Sequence, residues 1–513
     1  MSKAFGRAAT VKAAFLMTGS TYVSFALGML VSALIARTLG PGEFGRYAYL
    51  VWLSGLLVMV ANNGLTTTVI RFVSESMGRN QHMVASDVHG WLLRAQHLSL
   101  AAVAITFVLG LEWTLPAGWA GHIALFGGAV LISVVAKTLY LFAISAAKGA
   151  GQYAVEAASS VCMSIGNLAC VGVLFLMQAP MAAYVALFAV TSLGYFVAAQ
   201  WMLRRRGIVP TRGALQPELA KQLRQHLFWT VVLAVAGAFG NKAAETFLLN
   251  RYVGPVEVGF FTVAAALTRG GIELLSAGLT TVLMPAMAHA YGAGGKARAH
   301  SILSDSVRYF GFAGLLLAGV GFMWADLVVE LMYGAQYKPV AEVLQVMVVV
   351  AGLTLPQGAF GALLSTTDHQ KLRAIVAALS VVASAAAALL LVPSYGLTGA
   401  VIANTASTLV IFVMIAVLLA RHLLVRFPWS QLIKLMMAAL VSAGLVGMLP
   451  WMYPGKASHL VAGALYALAL IVMSFILGAW TDADIGHMVS MATRFPRLFG
   501  WMIPMLNKRT RGT

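Results

Sequence analysis

The sequence predicts an all-α polytopic membrane protein of about fourteen transmembrane helices, in two parallel-related six-helix lobes followed by a C-terminal helix pair. Three observations predict it. Of 513 residues, 60% are hydrophobic and only 10% charged, against roughly a quarter charged in soluble domains. Apolar runs of about 20 residues, enough to cross a bilayer as helix, recur along nearly the whole chain. The chain also repeats itself about its middle.

The apolar runs place helices near 13–37, 44–70, 88–112, 119–145, 154–178 and 181–203, then near 226–250, 257–288, 303–325, 340–366, 372–393 and 396–420. Two more lie near 431–452 and 457–480. The divisions are an N-terminal lobe (1–203), a cytoplasmic linker (204–226), a C-terminal lobe (227–422), an extra helix pair (423–480) and a basic cytoplasmic tail (481–513). Within the linker, Pro217-Glu218 marks the start of a short cytoplasmic helix. The first run lacks a cleavage site and is too long for a signal-peptide core, so it is read as a retained helix.

A net charge of +18 follows the membrane rather than a nucleic acid. With both termini cytoplasmic, the inner segments hold most basic residues, among them Arg204, Arg205, Arg206, Lys221 and Arg224. The outer loops hold only Arg37, Arg251, Lys338 and Lys456, as the positive-inside rule requires. Omitting one helix destroys the alternation downstream of it. Trp113 and Trp119 flank one outer loop, and Trp451 and Tyr453 another, as interfacial belts do. Cys162 and Cys170 share one apolar run and form neither a disulfide framework nor a zinc site.

A shift of 214 positions lays Arg37 on Arg251, Gly40-Pro41 on Gly254-Pro255, Glu43 on Glu257 and Gly45 on Gly259. It also lays Gly64-Leu65-Thr66-Thr67 on Gly278-Leu279-Thr280-Thr281. Each copy has six helices, and an even number returns the chain to its starting side. The copies are therefore expected to be related by a pseudo-twofold along the membrane normal, with a site between them. Ser20, Ser24, Gly28 and Ser32 form a small-residue ridge read as a helix-packing face, as do Gly399, Ala403 and Ser407.

The segment Ala36-Arg37-Thr38-Leu39-Gly40-Pro41-Gly42-Glu43-Phe44-Gly45, with Gly64-Leu65 and Arg71-Phe72-Val73-Ser74-Glu75, resembles the first-repeat signature of the Wzx-type polysaccharide flippases. These lie within the multidrug/oligosaccharidyl-lipid/polysaccharide exporter superfamily. The resemblance implies movement of undecaprenyl-pyrophosphate-linked oligosaccharides across the bacterial inner membrane by alternating access. It implies a lipid-linked glycan and membrane lipid as partners, with polysaccharide polymerase and export proteins nearby.

Ionisable residues at membrane depth are costly and usually mark function. Lys137, Lys242, Glu245, Arg269 and Glu273 are the deep ones, and their repeat counterparts are Gln357, Gly28, Val31, Gly55 and Met59. The duplicated scaffold thus manages without these charges. Lys242 and Glu245, three apart, and Arg269 and Glu273, four apart, can also pair along their own helices as purely structural features. Lys137 has no carboxylate at helical spacing in its own helix. Arg46 is read as reaching the outer surface. A substrate anion would then be met by Lys137, Lys242 and Arg269, its sugar by Asn241 and Asn62 or Asn63. Glu245 and Glu273 would couple transport to substrate or proton binding.

No phosphate-binding Gly-Lys-Ser/Thr loop, nucleophile elbow or metal-ligand spacing of histidines occurs, so neither an enzymatic activity nor a cofactor is expected. Three alternatives stay open. They are a lipid II flippase, a proton- or sodium-coupled drug exporter of the same superfamily, and a non-transporting scaffold for polysaccharide assembly.

Overall fold

The structure, a computed structural model, describes residues 7–494 apart from 63, 117, 240–241, 367–369, 423–424, 426 and 450–454. The described residues form helices and no strand. In chain order these are α1 (Arg7–Asn62), α2 (Leu65–Gly78), α3 (His82–Leu109), α4 (Ile123–Gly149), α5 (Ala154–Leu176) and α6 (Met181–Arg205). There follow α7 (Pro217–Phe239), α8 (Ala243–Tyr252), α9 (Pro255–Thr268), α10 (Leu274–Tyr333), α11 (Pro339–Leu353) and α12 (Gln357–Thr366). The last four are α13 (Gln370–His422), α14 (Trp429–Val446), α15 (Lys456–Ile476) and α16 (Asp482–Arg494). Among the described residues, ten helices are long and apolar enough to cross a membrane, or eleven spans with the α11–α12 pair, bent by 43°.

With the two double helices resolved, the eleven spans become thirteen among the described residues, against the expected fourteen. Leu16–Asn62 runs 47 residues and Ala378–Arg421 runs 44, and each holds two of the expected spans. Gly40 (φ 72) breaks the first, and Gly396 (φ 55) the second. Left-handed backbone is open to glycine, and a proline lies next to the first break and three residues before the second. The expected span near 226–250 is made by α7 and α8 on either side of residues 240–241, which lie outside the described residues. Three expectations are corrected. The run near 44–70 ends at Asn62, because Gly64 (φ 83) turns the chain into the separate helix α2. The helix begun by Pro217 is not short but continues to Phe239. The segment joining the expected helices near 257–288 and 303–325 is itself helical within α10, with a left-handed turn at Gly295 (φ 64).

The chain forms two compact units. The first comprises residues 1–270, 328–347 and 369–411, and its organising contact joins the two copies of the repeated turn. A Cβ on Gly45 would lie 1.6 Å from the Pro255 carbonyl oxygen. A Cβ on its repeat partner Gly259 would lie 3.0 Å from the Pro41 oxygen and 3.2 Å from Gly45 Cα. Equivalent residues contact each other reciprocally, which is the signature of a twofold relation. The repeated Gly40 and Gly254 (φ 148) each open the helix that follows, with proline at its start. Next to this crossing, Arg37 donates to the carbonyls of Leu331 and Met332 in the last turn of α10, where helix carbonyls lack internal partners. Tyr337 donates to the Ala36 oxygen at 3.1 Å.

At the opposite end of this unit, the linker is tied to α3. Asp87 accepts from Thr211 Oγ1 at 2.5 Å and from the Gly213 amide at 3.0 Å. Gly90 permits the approach, since a Cβ there would meet the Thr211 oxygen at 1.8 Å. Beneath the strap, Val69, Phe72, Leu92, Ile144 and Leu203 form a buried cluster. Trp119, expected at the interface, is instead buried, edge-on to Phe126, while Trp113 is exposed. Trp451 and Tyr453 lie outside the described residues.

The second unit comprises residues 271–327, 348–368 and 412–513. Here α14 and α15 pack on each other, and Tyr466 donates to the Leu315 oxygen of α10 at 3.0 Å. The described part of the tail is pinned. Asp484 bonds Arg308 at 2.7 Å and Tyr309 at 2.6 Å, and Thr481 and Asp484 form a reciprocal capping box at the start of α16. The tail residues Phe495, Leu498, Phe499 and Trp501 lie outside the described residues.

Two outcomes are expected. Gly45→Ala and Gly259→Ala each lower the melting temperature of purified protein, by an overpacking cost of about 1–3 kcal/mol. Gly55→Ala, inside a helix and with nothing within 4 Å, does not lower it. Burial alone pushes the Asp484 carboxyl up, but hydrogen bonds from Thr481, Tyr309 and Arg308 outweigh it and hold the group below its ordinary 3.8. A lowered carboxylate stabilises above its unfolded value and loses that contribution as pH falls through the folded one. Hydrogen-exchange protection of α16 is therefore full above 3.8 and declines below it, and Asp484→Asn removes this step.

Candidate functional site

Lys137 sits midway along α4, where an ionised amine costs a few kcal/mol or more unless it is compensated. Its ammonium lies 4.3 Å from the centroid of the Phe188 ring on α6, a cation–π contact worth about 2 kcal/mol when desolvated. Among the described residues no carboxylate pairs with it. Both residues line a cavity of about 340 Å³ in the first unit, built by α1, α4, α5 and α6 with Thr262 of α9.

The helices place this lining by simple periodicity. Tyr184, Phe188, Thr191 and Tyr195 recur at three- and four-residue steps on α6, and Phe44, Tyr47 and Trp52 share a face of α1 beyond the Gly40 break. Before that break, Gly28 and Ser32 also line the cavity. The small-residue ridge of α1, expected to be a packing face, thus opens in part onto space, and a Cβ on Gly28 would meet nothing within 4 Å. The rings are held edge-on, Tyr47 to Phe188 at 6.3 Å. Tyr184 donates to Thr38 at 3.2 Å, Tyr195 shares a hydrogen bond with Ser164 at 3.0 Å, and Thr191 lies 3.5 Å from Asn167 Oδ1. Lys137 is the one charged group among the described lining.

The other candidates fall elsewhere. Glu245 is fully buried in the first turn of α8, where a helix N-terminus favours negative charge. Its Oε1 accepts from Ser384 of α13 at 2.7 Å, and Oε2 has no hydrogen-bond partner among the described residues. Lys242 precedes that helix in a left-handed conformation (φ 57), so the two are not spaced along one α-helix, but Lys242 lies near enough to act on the Glu245 carboxylate electrostatically. Arg269 and Glu273 bound a π turn and are both exposed, not spaced as an α-helical pair. Of the five described candidates only Lys137 lines the cavity; Asn241 lies outside the described residues, as does Asn63. Asn62 is buried, with its amide donating to the Val58 carbonyl at 2.9 Å. Arg46 bonds Glu43.

Sequence reading missed Phe188, Asn167, Tyr47 and Trp52. The available signal was the polar-aromatic stripe on α6, but its spacing is also that of any buried helix face.

Comparison with known proteins gives the family and the fold. Residues 10–290, more than half of the chain, match the family described as polysaccharide biosynthesis protein. The chain belongs to this family. The match agrees with the resemblance carried by Ala36–Glu75 and with the exporter superfamily it implied. A search of curated proteins finds no match. Among solved structures, the lipid II flippase MurJ in an inward closed conformation is similar, with a TM-score of 0.72 at 13% identity over 90% of this chain and 98% of that one. An inward-facing multidrug resistance MATE family transporter of the MOP superfamily gives 0.65 at 15% identity, over 78% and 94%. The MATE transporter VcmN of Vibrio cholerae in its bent form gives 0.55 at 14% identity, over 79% and 95%. The shared property at these identities is the fold, that of a multi-pass membrane protein.

If water reaches the cavity, its lining is chemically accessible. In a background with Cys162 and Cys170, both exposed, replaced by serine, Lys137→Cys is expected to react with a membrane-impermeant thiol reagent. Ala136→Cys, at a position 1% exposed, is expected to stay unmodified, as mass spectrometry of the intact protein would show.

Proposed function

We propose that this protein is a flippase that carries undecaprenyl-pyrophosphate-linked oligosaccharide units from the cytoplasmic to the periplasmic leaflet by alternating access. The product would serve surface polysaccharide: O-antigen, capsule or exopolysaccharide. The proposed setting is the bacterial inner membrane with both termini cytoplasmic, which the distribution of basic residues supports.

One observation carries the reading: an aromatic, largely apolar cavity at membrane depth whose one charged residue among the described lining is a cation, with no carboxylate beside it. A site of that sign attracts an anionic substrate and repels a lipophilic cation, which disfavours the drug-exporter alternative. Replacing the substrate's lost hydration needs donors of this kind. The family match supports a glycan as cargo and transport rather than catalysis. Glu245, buried and bonded to Ser384, is the proposed coupling group, since a proton or cation there would alter how α8 meets α13. A lipid II flippase is the second reading, favoured by the likeness to MurJ. It differs in the glycan and not in the geometry.

The test is transport in proteoliposomes, following protection of a fluorescent polyprenyl-pyrophosphate oligosaccharide from a membrane-impermeant reagent. Wild type is expected to move it, and Lys137→Ala to lose at least about tenfold of the rate while inserting at normal level, the scale of one lost charge-assisted contact. Retained transport in Lys137→Ala would remove this residue from the site. Expulsion of a lipophilic cation without any lipid-linked sugar transport would establish the drug exporter instead.

A further inference from the structure

The cavity lining is unbalanced in a way that specifies part of the cargo. Besides the Lys137 ammonium, it carries the Trp52 indole N–H, the Tyr47 hydroxyl and the Asn167 amide, and none of these donates to another described residue. Thr191 already donates to the Leu187 carbonyl of its own helix. Donors are thus in excess, and no carboxylate is present among the described lining. A ligand that completes the site must bring acceptors, one negative charge, and an apolar face for the rings. A pyrophosphate diester brings two charges and no such face, and a single ammonium leaves one of them uncompensated in a neutral surrounding. A neutral sugar supplies acceptors and a C–H face but leaves the ammonium without a counter-charge.

We infer that this cavity is a subsite for one acidic sugar of the cargo, a uronate or a residue of like charge, while the pyrophosphate is held outside it. Its carboxylate pairs with Lys137, its hydroxyls take the Tyr47, Trp52 and Asn167 donors, and its C–H face lies on the aromatic lining with Phe188. The inference rests on the transport reading for its class of substrate, but it concerns which part of the substrate sits here. It also relieves a difficulty in the expected cluster, because Arg269 and Lys242 do not line this cavity. A monoanion can also come from the membrane, as a phospholipid headgroup, and the experiment separates the two.

The experiment is calorimetric binding of two lipid-free tetrasaccharides, identical except that one glucose is replaced by glucuronate, to the full chain in phosphatidylcholine nanodiscs. Wild type is expected to bind the acidic one roughly tenfold or more tightly, the size of a charge-assisted hydrogen bond. Lys137→Gln is expected to bring the ratio to about one, and Lys137→Arg to restore it. A ratio of one in wild type, or a preference unchanged by Lys137→Gln, would overturn the inference. So would loss of the preference on adding phosphatidylglycerol, since the monoanion would then be a headgroup. Transport is scored separately. Equal movement of acidic and neutral lipid-linked glycans keeps the flippase and overturns the subsite. A Lys137-dependent binding preference without transport keeps the subsite and overturns the flippase.

Discussion

The crossing of two repeated turns is the constraint on which the first unit depends. Gly45 and Gly259 face each other so closely that the backbone of one turn occupies the space where the other's side chain would be. Each glycine follows a proline that begins a helix after a left-handed or extended glycine, so the crossing fixes where four helix ends must be. Arg37 then binds the end of α10 beside it. Four small residues, two glycines and two prolines per crossing, thereby position elements more than two hundred residues apart. A methyl group is enough to disturb them, because neither backbone has slack to yield.

The symmetry does not extend to Lys137. The turns are duplicated, but Lys137 corresponds to Gln357, which begins α12 just after the bend in the α11–α12 pair. The residue that carries charge into the interior is thus present in only one copy, on an unbroken helix with an aromatic partner. A half-buried cation held by a ring rather than by a carboxylate keeps its charge available, since a ring offers attraction without neutralising it. Glu245 shows the complementary arrangement, a carboxylate held by one hydroxyl with its second oxygen unmatched.

Much of this was legible in the residues and some was not. Most of the helices followed from apolar length, because a bilayer imposes it. The breaks at Gly40 and Gly396 were marked by glycine and a nearby proline. The end of α1 at Asn62 was not, since apolar residues continue on both sides and only the backbone at Gly64 turns the chain. Lys137 stood out because charge in an apolar run is costly wherever it lies. Its neighbours did not stand out, because Tyr184, Phe188 and Tyr195 have the spacing of ordinary packing. Arg269 and Glu273 read as four residues apart on an α-helix because sequence spacing cannot distinguish an α turn from the π turn that they bound. Trp119 resembled an interfacial anchor, but it lies close enough to Phe126 to turn inward.

A contact in which equivalent residues meet reciprocally is self-complementary. A turn bearing Gly-Pro-x-Glu-x-Gly is therefore already shaped to meet a copy of itself. A chain that carries both turns presents each to the other without a search for a partner, so the residues away from the crossing can differ between the copies, as Lys137 and Gln357 do.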